Sequence, residues 1–204
     1  RSGNWDPEIN KKDTEYSDGR AARGYWEAFQ AVKRSLKKVL ANSSPGEVAH
    51  EKHSTWYREL FAPSVNAGLL AATDLAGYRN HPVYIQKSKH VPPRYEAVRD
   101  LMPAFFTLLK EEQDPFVRAV LGHFFFVYIH PYNDGNGRMG RFLMNVMLAS
   151  GGYPWTVIPL KSRDEYMDSL EQASVKKNIK PFALFIADLI IESSTEISVS
   201  KKQV

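Results

Sequence analysis

Phe116 to Ile129, flanked by Asp114-Pro115 and His130-Pro131, is apolar on every side apart from Arg118 and His123. Asp before Pro pairs a capping side chain with a first-turn residue whose missing N–H costs a helix nothing. The run therefore reads as a helix that starts there and stops at His130-Pro131. A helix without a polar face is stable only when other elements cover it, so this chain has to fold as a bundle with that helix in its middle. Spacings of three and four supply the cover. They recur at Phe29, Val32, Leu36, Val39 and Leu40, and again at Val98, Leu101, Met102, Phe105, Leu108 and Leu109, each set drawing one apolar stripe. Pro103 reads as a kink or as a first-turn residue after a break. Further helices are expected over about 47–60, after the Asn42-Ser43-Ser44-Pro45-Gly46 break, and from Arg138 to Ser150, stopped by Gly151-Gly152. Ser162 with Glu165 reads as a capping box for a helix holding Tyr166, Leu170 and Ala173, and Pro181 opens a last one through Ile191.

One segment breaks the helical pattern. Pro82-Val83-Tyr84-Ile85-Gln86 alternates with strand period, Lys87-Ser88-Lys89 is polar, and His90-Val91-Pro92-Pro93 closes the stretch, which predicts a short β-hairpin whose edge has no partner in the chain. Residues 1–22, rich in polar and turn-forming types, read as an irregular lead-in, and 193–204 as a polar tail. The expectation is a mainly α chain with a single helical domain over 23–192.

Composition excludes several functions. The sequence has 204 residues, and 27 Lys and Arg against 23 Asp and Glu give a net charge of +4. These charges are scattered, and the basic face Lys33, Arg34, Lys37 and Lys38 reads as solvated, so nucleic acid is not an expected partner. The absence of cysteine rules out disulfides, thiolate zinc sites and cysteine nucleophiles and fits a reducing cytoplasm. No uninterrupted apolar run reaches the ~18 residues that span a bilayer. The start Arg1-Ser2-Gly3-Asn4 has neither Met nor an apolar stretch, so no secretory signal is expected and the chain reads as trimmed. His50 and His53, beside Glu47 and Glu51, have no further ligand cluster and read as surface residues.

The chemistry concentrates in His130-Pro131-Tyr132-Asn133-Asp134-Gly135-Asn136-Gly137-Arg138-Met139-Gly140-Arg141. Two glycines around Asn136 in a short loop entering a helix let backbone N–H groups turn inward as an anion-binding hollow. Arg138 and Arg141 share a face of the opening turn, where cations oppose the helix dipole by about 0.3–1 kcal/mol each unless a polyanion is bound. Asp134 offers a hard oxygen suited to Mg²⁺ beside phosphates. His130, anchored at the exit of a buried helix, has an ordinary pKa of about 6.5 and suits general-base work.

This stretch resembles the signature of the Fic (filamentation induced by cAMP) family, H-P-F-x-D/E-G-N-G/K-R-x-x-R, with Tyr132 as the one departure, standing where Phe is usual. The resemblance covers roughly 47–190 and implies a Fic-like helical bundle with the segment near 79–93 as its β-hairpin flap. It also implies transfer of AMP from ATP to a Ser, Thr or Tyr hydroxyl of a target protein. By matching positions, His130 would deprotonate that hydroxyl and Asp134 would hold Mg²⁺ between the α- and β-phosphates. Gly135, Asn136 and Gly137 would cradle the phosphates, with Arg138 on the β- and Arg141 on the γ-phosphate. Val83, Tyr84 and Ile85 would bind the target by strand addition, and Tyr166 and Met167 would border the nucleotide base, although their periodic apolar spacing reads rather as core. Bacterial, toxin-like action and a homodimer are also implied.

Many Fic proteins are held inactive by a glutamate in an S/T-x-x-x-E-G/N helix. The nearest patterns here, Thr14 to Asp18-Gly19 and Ser43 to Glu47-Val48, match poorly, so the expectation is no inhibition in cis. The inhibitor would then be a separate antitoxin or a missing upstream helix. Rival readings are Fic-type transfer of UMP or phosphocholine and removal of AMP. Outside the family stand a metal-dependent phosphohydrolase using His123, His130 and Asp134, and an inactive nucleotide-binding module.

Overall fold

The computed structural model describes residues 7–41 and 43–200. Residues 1–6, Asn42 and 201–204, which include the ends of the expected lead-in and tail, lie outside the described residues. Seven α-helices among those described build the molecule: α1 (Pro7–Leu40), α2 (Pro45–Asn66), α3 (Tyr95–Glu111), α4 (Pro115–Ile129), α5 (Asn136–Ser150), α6 (Arg163–Lys176) and α7 (Lys180–Ser200). Single 3₁₀ turns fall at Ala72–Leu75 and Leu160–Ser162.

Several starts and stops follow from local chemistry. Asp114 caps α4 by accepting from the N–H groups of Phe116 and Val117, at 2.8 and 2.9 Å, with Pro115 at the first position, a cap worth about 1 kcal/mol. Ser44 does the same for α2, its hydroxyl accepting from the Glu47 N–H with Pro45 following. The presumed break before that helix is therefore its cap. Helix α3 runs through Pro103. The capping box expected at Ser162 is not formed, because a 3₁₀ turn precedes α6 and the Ser162 side chain makes no cap bond. The irregular lead-in is also corrected from Pro7 onward, since α1 begins there, and the tail is helical to Ser200.

The centre of the bundle is α5 rather than α4. Met139, Phe142, Leu143, Met144, Val146, Met147 and Leu148 are all at most 2% exposed, whereas α4 shows Val117 and Phe125 to solvent at 36% and 38%. Hydrophobicity alone ranks α4 first, but α5 is the helix packed against α1, α2 and α4. Helices α6 and α7 pair with each other and close the far side of α4.

Helices α1 and α2 pack so closely that a Cβ on Gly24 would come within 2.1 Å of the Leu60 carbonyl oxygen. Beside that crossing the buried Trp56 indole donates to the Ser35 hydroxyl at 3.0 Å, satisfying two polar groups that water does not reach. His53 is likewise buried, not on the surface. Its Nδ1 donates to main-chain carbonyls of its own helix, so Nε2 accepts from the Tyr78 hydroxyl at 2.9 Å. Burial lowers its pKa to about 4. Because the atom that blocks Gly24 is main chain, Gly24→Ala has to push two helices apart. We expect a loss of about 3 kcal/mol, the upper end for overpacking, read from the urea midpoint.

Candidate active site

Two short hydrogen bonds shape the turn from α4 to α5. The Asn136 carboxamide accepts from the Tyr132 N–H at 2.9 Å and donates to the Tyr132 carbonyl at 2.8 Å, and Asn136 is 2% exposed. Its side chain is thus a lock within the loop, and only its main chain is free to face an anion. Gly135 precedes α5 with φ +80°, and a Cβ there would meet Phe61 at 2.9 Å, so both the left-handed turn and the close approach call for glycine. The first helical bond of α5 is made by the Met139 N–H to Gly135 O. The N–H groups of Asn136, Gly137 and Arg138 therefore project from the helix end as donors for an anion.

His130 caps α4 in the left-handed region, with φ 53° and ψ 59°. Its Nδ1 lies 3.2 Å from the Val127 carbonyl, which can only accept, so Nδ1 carries the proton and Nε2 keeps its lone pair. Burial, and then the guanidinium of Arg79, lower the His130 pKa below its ordinary value, against the opposing pull of the Val127 bond and Asp134. The imidazole is held as a neutral base.

The charged groups stand around that turn. Asp134 is exposed; Oδ1 accepts from the Gly135 N–H, and Oδ2 pairs with Arg138 at 3.1 Å. Arg138 also lies over the Phe61 ring at 5.1 Å. Arg141 sits near Tyr25, Tyr166 and His123, on all of which its charge acts. Tyr25 reaches it from α1 by packing on Phe142, ring centres 4.9 Å apart. Among the described residues no carboxylate lies within 4.0 Å of the Arg141 guanidinium. Glu47 is taken by Lys110 on α3, and Asp18 is exposed on α1.

Three expectations change. The hairpin is not a hairpin: residues 79–93 are irregular, with a turn at 86–87 and without ladder bonds. Pro82, Pro92 and Pro93 lack the N–H a ladder needs, and Lys87 is left-handed at φ 63°, where Ser88 N–H bonds to Ile85 O. Side chains hold the segment instead. Glu171 of α6 accepts from the Ser88 hydroxyl at 2.5 Å and the Lys89 N–H at 2.8 Å, and His90 Nε2 donates to the Tyr128 carbonyl at 2.9 Å. Val83 and Ile85 are half-buried, Tyr84 is 81% exposed, and the arms enclose a cleft of about 270 Å³ floored by Arg79.

Tyr166 is the second: the resemblance implied a wall for the base, and the core expected from its periodicity is what forms. It is 6% exposed, its hydroxyl donating to His123 Nε2 at 2.7 Å, so it is a core residue beneath Arg141 rather than an open wall for a base. Met167, half-buried, packs against the core as well. The third is the ligand set His123, His130 and Asp134. His123 is wholly buried and occupied by Tyr166, and the described residues contain no metal-binding cluster of three or more His, Cys, Asp or Glu. One exposed carboxylate beside an anion hollow suits a metal held mostly by phosphates, which is the habit of Mg²⁺.

A family model for Fic/DOC proteins matches residues 50–148, from α2 through most of α5. Residues 50–148 are a Fic/DOC-family domain. Among curated proteins, "Protein adenylyltransferase Fic" of Drosophila mojavensis is 40% identical over 115 residues, 54% of this chain and 22% of that protein. The protein of the same name from Nematostella vectensis is 40% identical over 114 residues, 54% of this chain and 26% of its own length. The chain thus spans about a quarter of the length of these relatives. They come from animals and lend no support to a bacterial assignment. Among solved structures, Fic-1 from C. elegans has a TM-score of 0.72 at 23% identity, covering 91% of this chain and 52% of that one. A Fic-domain signalling protein from Bacteroides thetaiotaomicron has a TM-score of 0.66 at 21% identity, over 83% and 70%. At these identities the likeness establishes the Fic fold. Among the described residues no helix is long and apolar enough to cross a membrane.

Sequence reasoning missed Tyr57, Arg79, His90 and Glu171, which lie outside the signature and act across long separations. Tyr57 of α2 stacks on Tyr132 with ring centres 3.6 Å apart and planes 5° apart. That stack explains how a tyrosine replaces the family's phenylalanine, yet its buried hydroxyl finds no hydrogen-bond partner among the described residues. An unpaired buried hydroxyl costs about 1–3 kcal/mol, so Tyr132→Phe is expected to stabilise the fold by about 1 kcal/mol, measured by urea denaturation, with the Tyr57 stack intact.

Proposed function

We propose that this protein is an adenylyltransferase that moves AMP from ATP to a hydroxyl side chain of a target protein. The observation that carries the reading is the contact of His130 Nδ1 with the Val127 carbonyl at 3.2 Å, which leaves Nε2 as the nitrogen able to take a proton, at the start of the turn that leads into the open helix end of α5. The names of the matching relatives support the same activity.

The reaction follows from these parts. ATP lies with its phosphates against the free N–H groups of Asn136, Gly137 and Arg138, and the guanidinium groups of Arg138 and Arg141 take the β- and γ-phosphates. Asp134 Oδ2, once released from its exposed pairing with Arg138, would hold Mg²⁺ beside the phosphates, where the metal would supply charge neutralisation. Exposed ion pairs are worth at most about 1 kcal/mol, so that exchange is easy. The target hydroxyl gives its proton to His130 Nε2 as its oxygen attacks the α-phosphorus. The bond to the bridging oxygen breaks in line, and pyrophosphate leaves with its charge on the arginines. Placement and neutralisation do most of the work. The flap segment 82–85, irregular and without a ladder partner among the described residues, receives the target chain by strand addition.

Incubating the protein and a cell lysate with ATP radiolabelled at the α-phosphate tests this. Label should appear on protein and vanish with His130→Ala; release of free phosphate or retention of intact ATP would overturn the proposal. Arg141→Ala should lower labelling by about 10²-fold, as removal of a transition-state charge contact does. The pH dependence has a definite sign. Since the His130 pKa is depressed, the base stays neutral at pH 7, and activity is lost only as pH falls through a value below 6.5. An acid limb of kcat/KM centred at or above 6.5 would contradict the described environment.

A further inference from the structure

Arg79 is buried at 4% exposure in irregular chain, and the chemistry above leaves it without a part. Among the described residues no carboxylate lies within 4.0 Å of it, and Glu96 acts only from further off. Its guanidinium spends its donors on main-chain carbonyls instead. Nε donates to His130 O at 2.7 Å, Nη1 to His81 O at 3.2 Å, and Nη2 to Pro93 O at 2.5 Å and Ile129 O at 3.4 Å. Its own N–H donates to Pro131 O at 2.8 Å.

Taking a cation out of water costs several kcal/mol, and an arrangement of this kind persists only where its donors are well matched. The carbonyls it matches belong to three separate pieces of chain. His81 lies on the entering arm of the flap, Pro93 on the leaving arm, and Ile129 to Pro131 form the end of α4 that carries the imidazole. A planar guanidinium with fixed donor directions can bridge all three, whereas the ammonium of lysine is a point charge that cannot span them. Nε also holds the carbonyl of His130, the residue in the left-handed conformation that a histidine adopts only when its surroundings hold it there.

We infer that Arg79 is a positioning residue for group transfer. By tying both feet of the flap to the main chain of Ile129 and His130, it sets the register between the place where the target chain lies and the base that takes its proton. The inference rests on the flap-and-base reading above. It assigns Arg79 no contact with nucleotide, whose hollow is built by α5.

The consequence is a split between two measurable steps. Arg79→Gln and Arg79→Lys should each slow labelling of lysate proteins from α-labelled ATP at saturating nucleotide by about 10²-fold, the scale of an ångström-sized misplacement. The dissociation constant for ATP, by calorimetry, should stay within about twofold, a tolerance of ~0.4 kcal/mol. Full activity in Arg79→Lys would mean that charge alone suffices and would overturn the bridge. Loss of ATP affinity in step with labelling would reduce Arg79 to a general structural role and overturn it as well. A measurement on the unaltered chain avoids any folding defect of the variants. In protein labelled with ¹⁵N-arginine, the Arg79 Nε–H should give a resolved signal protected from solvent exchange, and rapid exchange would refute the bridge. A wild-type protein that labels nothing would sink the adenylyl-transfer reading, and the Nε–H signal would then decide whether the bridge stands.

Discussion

The paired hydrogen bonds between the Asn136 carboxamide and the Tyr132 main chain close the turn on which the site is built. They lie out of contact with water, so losing either would strand a buried donor or acceptor at a cost of about 1–3 kcal/mol. With the turn closed, the chain leaves α4 through a left-handed His130 and enters α5 through a left-handed Gly135. The Tyr132 ring between them is pinned by Tyr57, so α2 fixes the height of the loop above the bundle. Helix α2 is in turn located by its close crossing with α1 at Gly24. Packing far from the chemistry therefore reaches the loop in part through this stacked pair of rings.

On the proposed reading, the arginines would form a field arranged before the substrate arrives. The first turn of α5 has no acidic residue and carries Arg138, with Arg141 one turn on, against the helix dipole. Aromatic groups hold them: Phe61 lies under Arg138, while Tyr25 and the buried Tyr166–His123 pair adjoin Arg141. A site that already holds its cations in place reorganises little when negative charge develops, which is where most electrostatic catalysis comes from. Burial keeps His123 neutral, its pKa lowered to about 3, so its hydrogen bond with the Tyr166 hydroxyl adds no further charge beside Arg141.

The flap makes the complementary point. A lone two-stranded hairpin is marginal in water, and this segment does not rely on being one. Glu171 holds its tip, His90 its returning arm and Arg79 both feet. Its position over the site is set by the helices beneath it, and its main chain is not committed to an internal ladder.

What the sequence determined by itself lies close together along the chain. The Asp114-Pro115 cap, the glycine pair around Asn136 and the grouping of histidine, carboxylate and arginines could be read because each depends on neighbours a few residues away. Tertiary structure decided what depends on distant partners. Alternation at 82–86 promises a strand, but whether a strand pairs is settled by what faces it, and here Glu171, His90 and Arg79 do. Periodicity places Tyr166 on an apolar face without saying whether that face meets a cleft or the core, and His123 makes it core. The greater hydrophobicity of α4 suggested the centre of the bundle, yet α5 occupies it because three helices converge there. A local pattern can specify a turn and its chemistry, since the interactions involved are short in sequence. The environment of a side chain is a property of the packed whole, and only the folded chain fixes it.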